Sequence, residues 1–270
     1  MPTASVNGVG LHYEVFGAGR DIVLCHGYSG SHQDWAHPIS DLMSDYRVLV
    51  MDHRGHGGSR APSSADAYSV NTFAEDVRSV MALAGAQGCC LGGHSMGGFT
   101  ALELTLNHPE LVAALVLVDT SSGEMDMPQE HREARLKALE VARTQGMGAA
   151  YDYVAANSPM VREHLQKHPR MREISRQRTV ETSVDGYIHA WDAIRNWTPV
   201  TPRLSEIKVP TLIVVGEEDA SFLRPAQVLK EGIPNSRVAV IPGSGHTPHL
   251  EQPEAFNRVL RGFLGQHFPA

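Results

Sequence analysis

The sequence predicts an α/β fold in which a mostly parallel sheet is flanked by helices. Short apolar runs such as "DIVLCHG" and "LVAALVLVD" are typical of strands that are buried on both faces of a parallel sheet. Between these runs, apolar residues recur at spacings of three and four, which is typical of helices with one buried face. Alternating strands and helices of this kind indicate a sheet that is covered by helices on both sides.

The elements follow one another regularly in the first 120 residues. The runs "LHYEVFG", "DIVLCHG" and "YRVLVMDHRG" are predicted strands, and the residues from Phe73 to Ala84 place their apolar side chains on one helix face. "CCLGG" is the next predicted strand, and "MGGFTALELTLNHP" is a helix that ends at Pro109. "LVAALVLVD" is the last predicted strand of this part of the chain.

The alternation resumes near the C-terminus. "VPTLIVVGEED" and "SRVAVIPGSGH" are predicted strands, separated by a helix around residues 225–232. A last helix is expected to begin near Pro253, because proline is favoured in a first helical turn and an apolar stripe follows it.

The segment 121–200 interrupts this pattern. It contains no convincing buried strand, and its composition is charged and helix-forming, as in "QEHREARLKALEVAR". We therefore predict a core formed by 1–120 and 201–270, with 121–200 as a helical cap inserted after the sixth strand. Trp191 and Trp197 are candidates for residues that reach a substrate pocket under this cap.

Composition and charge exclude several classes of partner. The 270 residues are 42% hydrophobic and 20% charged, as in an ordinary soluble globular protein. The net charge of −7 argues against nucleic acid as a partner, because phosphate backbones attract basic surfaces. No apolar run is long enough for a membrane span, and "MPTASVNGVGLHYEVFG" lacks the features of a signal peptide. Composition does not determine an oligomeric state.

The cysteines and histidines suggest neither disulfides nor a metal. The three cysteines, Cys25, Cys89 and Cys90, all lie in apolar runs, which favours a reducing compartment and a cytoplasmic location. The fifteen histidines show no zinc-ligand spacing. We therefore expect no metal and no cofactor.

Ser95 is the first candidate catalytic residue. It lies at a predicted strand-to-helix junction within Gly93-His94-Ser95-Met96-Gly97, which has the pattern G-x-S-x-G. Glycines two positions before and after the serine leave room for a sharp turn that presents its hydroxyl. The motif is short, so a purely structural glycine turn is the alternative.

Other segments supply the groups that a nucleophilic serine needs. His246 in "GSGHTPH" can act as the base, and Asp219 in "VVGEEDAS" can orient the imidazole. A tetrahedral oxyanion needs two backbone donors. We assign these to the amides of Met96 and Tyr28.

Five segments in order resemble the α/β-hydrolase family. They are "IVLCHGYSG", "VLVMDHRGHGGS", "GGHSMGGFTALELTLNHP", "PTLIVVGEEDAS" and "GSGHTPHLEQPEAF". The order serine, acid, histidine is the family's order, and Ser95, Asp219 and His246 follow it. Some members of the family carry the carboxylate that orients the histidine at the position of Asp119. We assign this role to Asp219. In this family the turn "MDHRGHGGS" has a structural role.

The resemblance implies hydrolysis of carboxylic esters or lactones of small to medium acyl substrates through an acyl-enzyme. Relatives that open epoxides or displace halide carry aspartate in place of Ser95. Carbon–carbon bond hydrolases and enol-lactonases of aromatic degradation are alternatives, although many of the former carry tryptophan where Thr247 stands. Cofactor-free perhydrolases often have proline where Ser29 stands. A ligand receptor of this fold with little turnover also stays open.

Overall fold

A computed structural model of the chain, which describes residues 3–123 and 127–270, contains one eight-stranded sheet. The strands are β1 (Thr3–Val6), β2 (Val9–Phe16), β3 (Arg20–Cys25), β4 (Tyr46–Met51), β5 (Cys89–His94), β6 (Val112–Val118), β7 (Thr211–Gly216) and β8 (Ser236–Ile241). Their order in the sheet is β1-β2-β4-β3-β5-β6-β7-β8. The first two residues of the N-terminal stretch and residues 124–126 of the segment predicted as a cap lie outside the described residues.

Eleven α-helices lie between or after these strands in the described part of the chain. They are α1 (Ala36–Leu42), α2 (Val70–Ala84), α3 (Met96–Asn107), α4 (Gln129–Gln145), α5 (Met147–Asn157), α6 (Pro159–Lys167), α7 (Met171–Val180), α8 (Val184–Arg195), α9 (Ala220–Gly232), α10 (Pro248–Glu251) and α11 (Pro253–His267). None of the described helices is long and apolar enough to cross a membrane.

The sheet is parallel from β4 through β3, β5, β6 and β7 to β8, and β2 runs antiparallel to both of its neighbours, β1 and β4. The predicted α/β fold is therefore confirmed. The sequence reading did not identify β1 or α1, which are short elements at the edge of the pattern. It also placed the start of α9 too late, because it predicted this helix only around residues 225–232. The helix begins at Ala220, directly after Asp219, and contains Pro225 in its interior.

Two apolar layers cover the two faces of the sheet. Alternate residues of β5 enter different layers, with Cys89 and Leu91 on one side and Cys90 on the other. All six residues of β5 are buried, as expected for a central parallel strand. Burial raises the pKa of the Cys89 thiol to about 12, and it raises the pKa values of the Cys25 and Cys90 thiols as well. The three cysteines are therefore neutral core residues.

Helices α4 to α8 occupy the chain between β6 and β7. Apolar residues of α4, α5 and α8, among them Ala138, Val154 and Tyr187, form a cluster of their own. Tyr28, in the loop after β3, packs against this cluster. This contact brings the helices next to the loops that follow the strands.

A buried ion pair joins the turn after β4 to α2. Arg54 Nε and Nη2 donate to the two carboxylate oxygens of Asp76 at 2.7 and 2.8 Å, and both residues are almost fully buried. Arg54 Nη1 also donates to the carbonyl of Ala67, and Asn7 donates to Asp76. This bidentate pair therefore has a structural role, as the sequence suggested for this turn.

Replacing Asp76 should destabilise the fold strongly. Asp76→Ala leaves a buried guanidinium without its counterion, which costs about 3–5 kcal/mol in the free energy of unfolding. Chemical denaturation of the two proteins measures this loss. Asp152→Ala is the control, because Asp152 forms an exposed pair with Arg176 at 3.3 Å. An equal loss in both variants would contradict a structural role for the buried pair.

Candidate active site

Ser95 lies on a strained turn between β5 and α3. Its backbone angles are φ 50° and ψ −114°, a left-handed conformation that a non-glycine residue rarely adopts. A Cβ on Gly97 would collide with the carbonyl oxygens of Cys25 and His26, and one on Gly93 would collide with Gly97. The glycines of the G-x-S-x-G pattern are therefore required by close backbone contacts.

Hydrogen bonds hold the strained residue in place. The amide of Ser95 donates to the carbonyl of Val118 at 2.9 Å, and the hydroxyl of Thr120 donates to the carbonyl of Ser95 at 2.8 Å. The amides of Gly98 and Phe99 donate to that same carbonyl. Such contacts offset the roughly 1–3 kcal/mol that a residue in this conformation costs.

The two predicted partners of Ser95 lie beside it. His246, in the loop between β8 and α10, has its Nε2 at 3.1 Å from Ser95 Oγ. Its Nδ1 is 2.6 Å from Oδ2 of Asp219, which directly precedes α9. The structure thus brings Ser95, His246 and Asp219 into one hydrogen-bonded chain. Asp219 is buried, whereas 41% of the His246 side chain is exposed.

His94 holds the loop that contains His246. Its Nε2 donates to the carbonyl of His246 at 2.7 Å, and the two ring centroids are 4.9 Å apart. Burial, followed by the neighbouring charges of His249 and His246, lowers the pKa of His94 well below its usual range. A neutral ring with its proton on Nε2 satisfies this contact. His94 therefore connects β5 to the loop after β8.

The loop after β3 passes close to Ser95. A Cβ on Gly27 would be 3.2 Å from the Cβ of Ser95, so the Tyr28 backbone begins next to the serine. Met96 is the first residue of α3, and its amide has no helical acceptor. In the described part of the chain, the backbone amides of Tyr28 and Met96 donate to no protein group. The Tyr28 hydroxyl donates instead to the carbonyl of Tyr187 at 2.6 Å.

Asp119, the other carboxyl considered for the acid, lies at the end of β6 and is fully buried. Its Oδ1 accepts a hydrogen bond from the amide of Gly216 at 2.9 Å. Burial, together with the charge of Asp219, raises the pKa of Asp119 well above its usual range. Both effects favour the protonated form of Asp119.

Three groups of histidine and carboxylate side chains in the described residues are compact enough to hold a metal ion. They are Asp119, Asp219 and His246; His12, Glu14 and His32; and His164, His168 and Glu251. In the first group, the Nδ1 of His246 and the carboxylate of Asp219 already bond to each other. This arrangement fits an imidazole that is oriented for proton transfer to and from Ser95.

A cavity of about 590 Å³ opens onto Ser95 and His246. Residues of α4 to α8 form much of its lining, together with Tyr28 and Phe222. Trp191 contacts this cavity, as the sequence suggested. Trp197 does not line it, because its ring stacks on Phe99 at 4.9 Å and its Nε1 donates to Glu103.

Sequence reasoning missed several polar residues of the cavity. Arg135 and His131 lie on α4, and Arg178 lies on α7. The composition of these helices is charged, which is typical of a solvated helix face. Helical spacing alone did not distinguish the charged side chains that point toward the cavity from those that point toward solvent. Burial shows the distinction, since His131 is 4% exposed while Arg132 beside it is exposed.

Comparison with known proteins agrees with this geometry. A Pseudomonas syringae pv. syringae protein proposed as the carbamate hydrolase RutD is 31% identical over 90% of this chain and 93% of its own length. The enol-lactonase of Burkholderia xenovorans LB400 is 28% identical with a TM-score of 0.85, covering 98% of this chain and 100% of that one. A carboxylesterase of Nitrososphaera gargenis is 27% identical with a TM-score of 0.88, covering 98% of both chains.

The family model for the alpha/beta hydrolase fold matches residues 22–253, which include Ser95, Asp219 and His246. The names of these three proteins all specify hydrolysis, and they differ in the bond that is cleaved. The chain therefore belongs to the α/β-hydrolase family and is a hydrolase of that fold.

Proposed function

We propose that this protein hydrolyses carboxylic esters or lactones of small to medium acyl substrates through an acyl-enzyme on Ser95. The observation that supports this most directly is the hydrogen-bonded chain in which His246 contacts Ser95 Oγ at 3.1 Å and Asp219 at 2.6 Å. A serine hydroxyl becomes a useful nucleophile when an oriented base can accept its proton.

In the proposed reaction, His246 Nε2 accepts the proton of Ser95 as its oxygen attacks the acyl carbon. Asp219 holds the imidazole in the required tautomer and stabilises the imidazolium that forms. The amides of Tyr28 and Met96 donate to the oxyanion of the tetrahedral intermediate. His246 then protonates the leaving alcohol. A water molecule, activated by the same imidazole, releases the acid and restores Ser95.

The cavity supports a substrate of modest size. Its volume of about 590 Å³ is in the usual range for small-molecule sites, and much of its lining is apolar. The names of the similar proteins specify an enol-lactone, a carboxylic ester and a carbamate, which are all acyl compounds attacked by a nucleophile. Our proposal is ester or lactone hydrolysis, because both substrates acylate a serine with an alcohol as the leaving group, and His246 can protonate that alcohol.

We also propose that residues 121–200 form a cap over the site. In this segment, Met127 before α4 and Tyr187 and Trp191 of α8 line the cavity. A cap of this kind excludes water and limits the length of the acyl chain without taking part in proton transfer.

Ser95→Ala should abolish ester hydrolysis and leave the fold intact, because the hydroxyl is the proposed nucleophile. Initial rates on 4-nitrophenyl esters, lactones and aryl carbamates of graded length identify the preferred bond. A fluorophosphonate should label the parent protein covalently and should not label Ser95→Ala. Labelling that persists in the variant would place the nucleophile at another residue. Ligand binding with negligible turnover of the whole panel would favour a receptor.

Asp219→Asn should reduce kcat by roughly 10³- to 10⁴-fold, because an amide sets the wrong imidazole tautomer. Asp119→Asn is the matched control, since burial favours the protonated form of Asp119 and an amide is nearly isosteric with a carboxylic acid. Its turnover should stay close to that of the parent protein. Steady-state kinetics on one ester compares the two. A severe loss in Asp119→Asn with a mild loss in Asp219→Asn would show that the acid is assigned wrongly.

Trp191→Leu should shift the preference toward longer acyl chains, because the indole lies against the cavity and a smaller side chain lengthens it. Trp197→Leu removes an indole of the same size that does not line the cavity and stacks on the far side of Phe99, so its chain-length profile should stay close to that of the parent protein. Values of kcat/KM for esters of two to ten carbons provide both profiles. Identical shifts in the two variants would indicate a general loosening of the helices instead of a local enlargement.

A further inference from the structure

Arg135 places a guanidinium in the cavity beside the loop that follows β3. Its Cζ lies 5.7 Å from the ring centroid of Tyr28, and the residue is partly buried on α4. Its Nε donates to Nε2 of His131 at 3.3 Å. This bond leaves the N–H groups of both terminal nitrogens directed away from His131.

His131 orients Arg135 without neutralising it. Burial, followed by the charge of Arg135, lowers the pKa of His131 to about 3, so the imidazole is uncharged near neutral pH. Its Nδ1 donates to the hydroxyl of Ser158 at 2.8 Å, which leaves Nε2 as the acceptor for Arg135. His131 therefore contributes no negative charge to balance the guanidinium.

Most other charged groups that line the cavity have a counterion of their own. Arg178 bonds to Asp34 at 2.6 Å, and Asp219 bonds to His246. Glu218 contacts His168 and Lys167, and Lys167 also contacts Glu163. The remaining carboxylate, Glu130, is exposed in the first turn of α4.

Arg135 is different from these groups. Among residues 3–123 and 127–270, no carboxylate lies within 4.0 Å of its guanidinium. A partly buried cation beside apolar walls attracts an anion more strongly than one on an open surface. The planar guanidinium also matches the two oxygens of a carboxylate.

We propose that Arg135 binds a carboxylate of the substrate, so that the preferred ester or lactone carries a second, ionised carboxyl group. This inference rests on the proposed function of Ser95. Tyr28 supplies a proposed oxyanion donor and its ring faces Arg135, so a short acyl chain can join the scissile carbonyl to the bound carboxylate. A single guanidinium balances the one negative charge of a carboxylate, whereas a phosphate dianion would need further cations.

The test compares two esters that differ in one charge. 4-Nitrophenyl hydrogen glutarate carries a terminal carboxylate, and 4-nitrophenyl methyl glutarate is its neutral analogue of nearly equal length. The parent protein should show the higher kcat/KM for the charged ester. In Arg135→Gln, the ratio of charged to neutral kcat/KM should fall roughly 10- to 100-fold, as expected for one charge-assisted hydrogen bond.

Two variants separate recognition from general charge effects. Arg143→Gln removes an exposed arginine from the last turn of the same helix and should keep the parent ratio. Arg135→Lys keeps the charge without the planar fork and should give an intermediate ratio. An equal fall in Arg135→Gln and Arg143→Gln, or no preference for the charged ester in the parent protein, would overturn the proposal.

A binding measurement makes the outcome independent of turnover. Calorimetry with monomethyl glutarate on Ser95→Ala should detect binding that is at least tenfold weaker when Arg135→Gln is added. If no ester is hydrolysed and a fluorophosphonate labels nothing, the proposed function fails while calorimetry still decides the role of Arg135. Equal affinity in the two proteins would exclude Arg135 as the carboxylate site.

Discussion

The strained turn at Ser95 is the constraint on which the arrangement of the site depends. A serine with φ of 50° persists because glycines at 93 and 97 let β5, α3 and the β3 strand approach one another closely. Hydrogen bonds from Thr120 and to Val118 connect the same residue to the end of β6. The strained conformation therefore directs the Ser95 hydroxyl away from the fully buried strand β5 and toward the cavity.

The parallel sheet explains how residues far apart in sequence reach this hydroxyl. Ser95 follows β5, Asp219 follows β7 and His246 follows β8, and the ends of these strands lie at the same edge of the sheet. The contact between Ser95 and His246 spans 151 positions of the chain. β5 and β7 are buried along their whole length, so the turns that present Ser95 and Asp219 start from well-packed strands of the core.

Burial assigns different charge states to chemically similar groups around the site. Asp119 and Asp219 are neighbouring carboxyls, and burial together with the charge of the second raises the pKa of the first. Burial lowers the pKa values of His131 and His94, so their neutral forms are favoured. The distribution of charge in the site thus depends on burial and on whether each group has a hydrogen-bond partner or a counterion. The proposed preference for a carboxylate follows from that pattern of pairing.

Local sequence by itself predicted the α/β alternation and the strand-to-helix turn at Ser95, because apolar periodicity defines each element and glycine spacing reveals a sharp turn. His246 and Asp219 were predicted from the groups that a nucleophilic serine needs and from the order of segments that resemble the α/β-hydrolase family. The tertiary structure alone decided the burial that raises the pKa of Asp119, the place of Trp191 in the cavity and the exclusion of Trp197. It also decided that Arg135 and His131 face inward from a helix whose composition is that of a solvated surface. Those properties depend on contacts between distant segments, and no local pattern records which side of a charged helix will be buried.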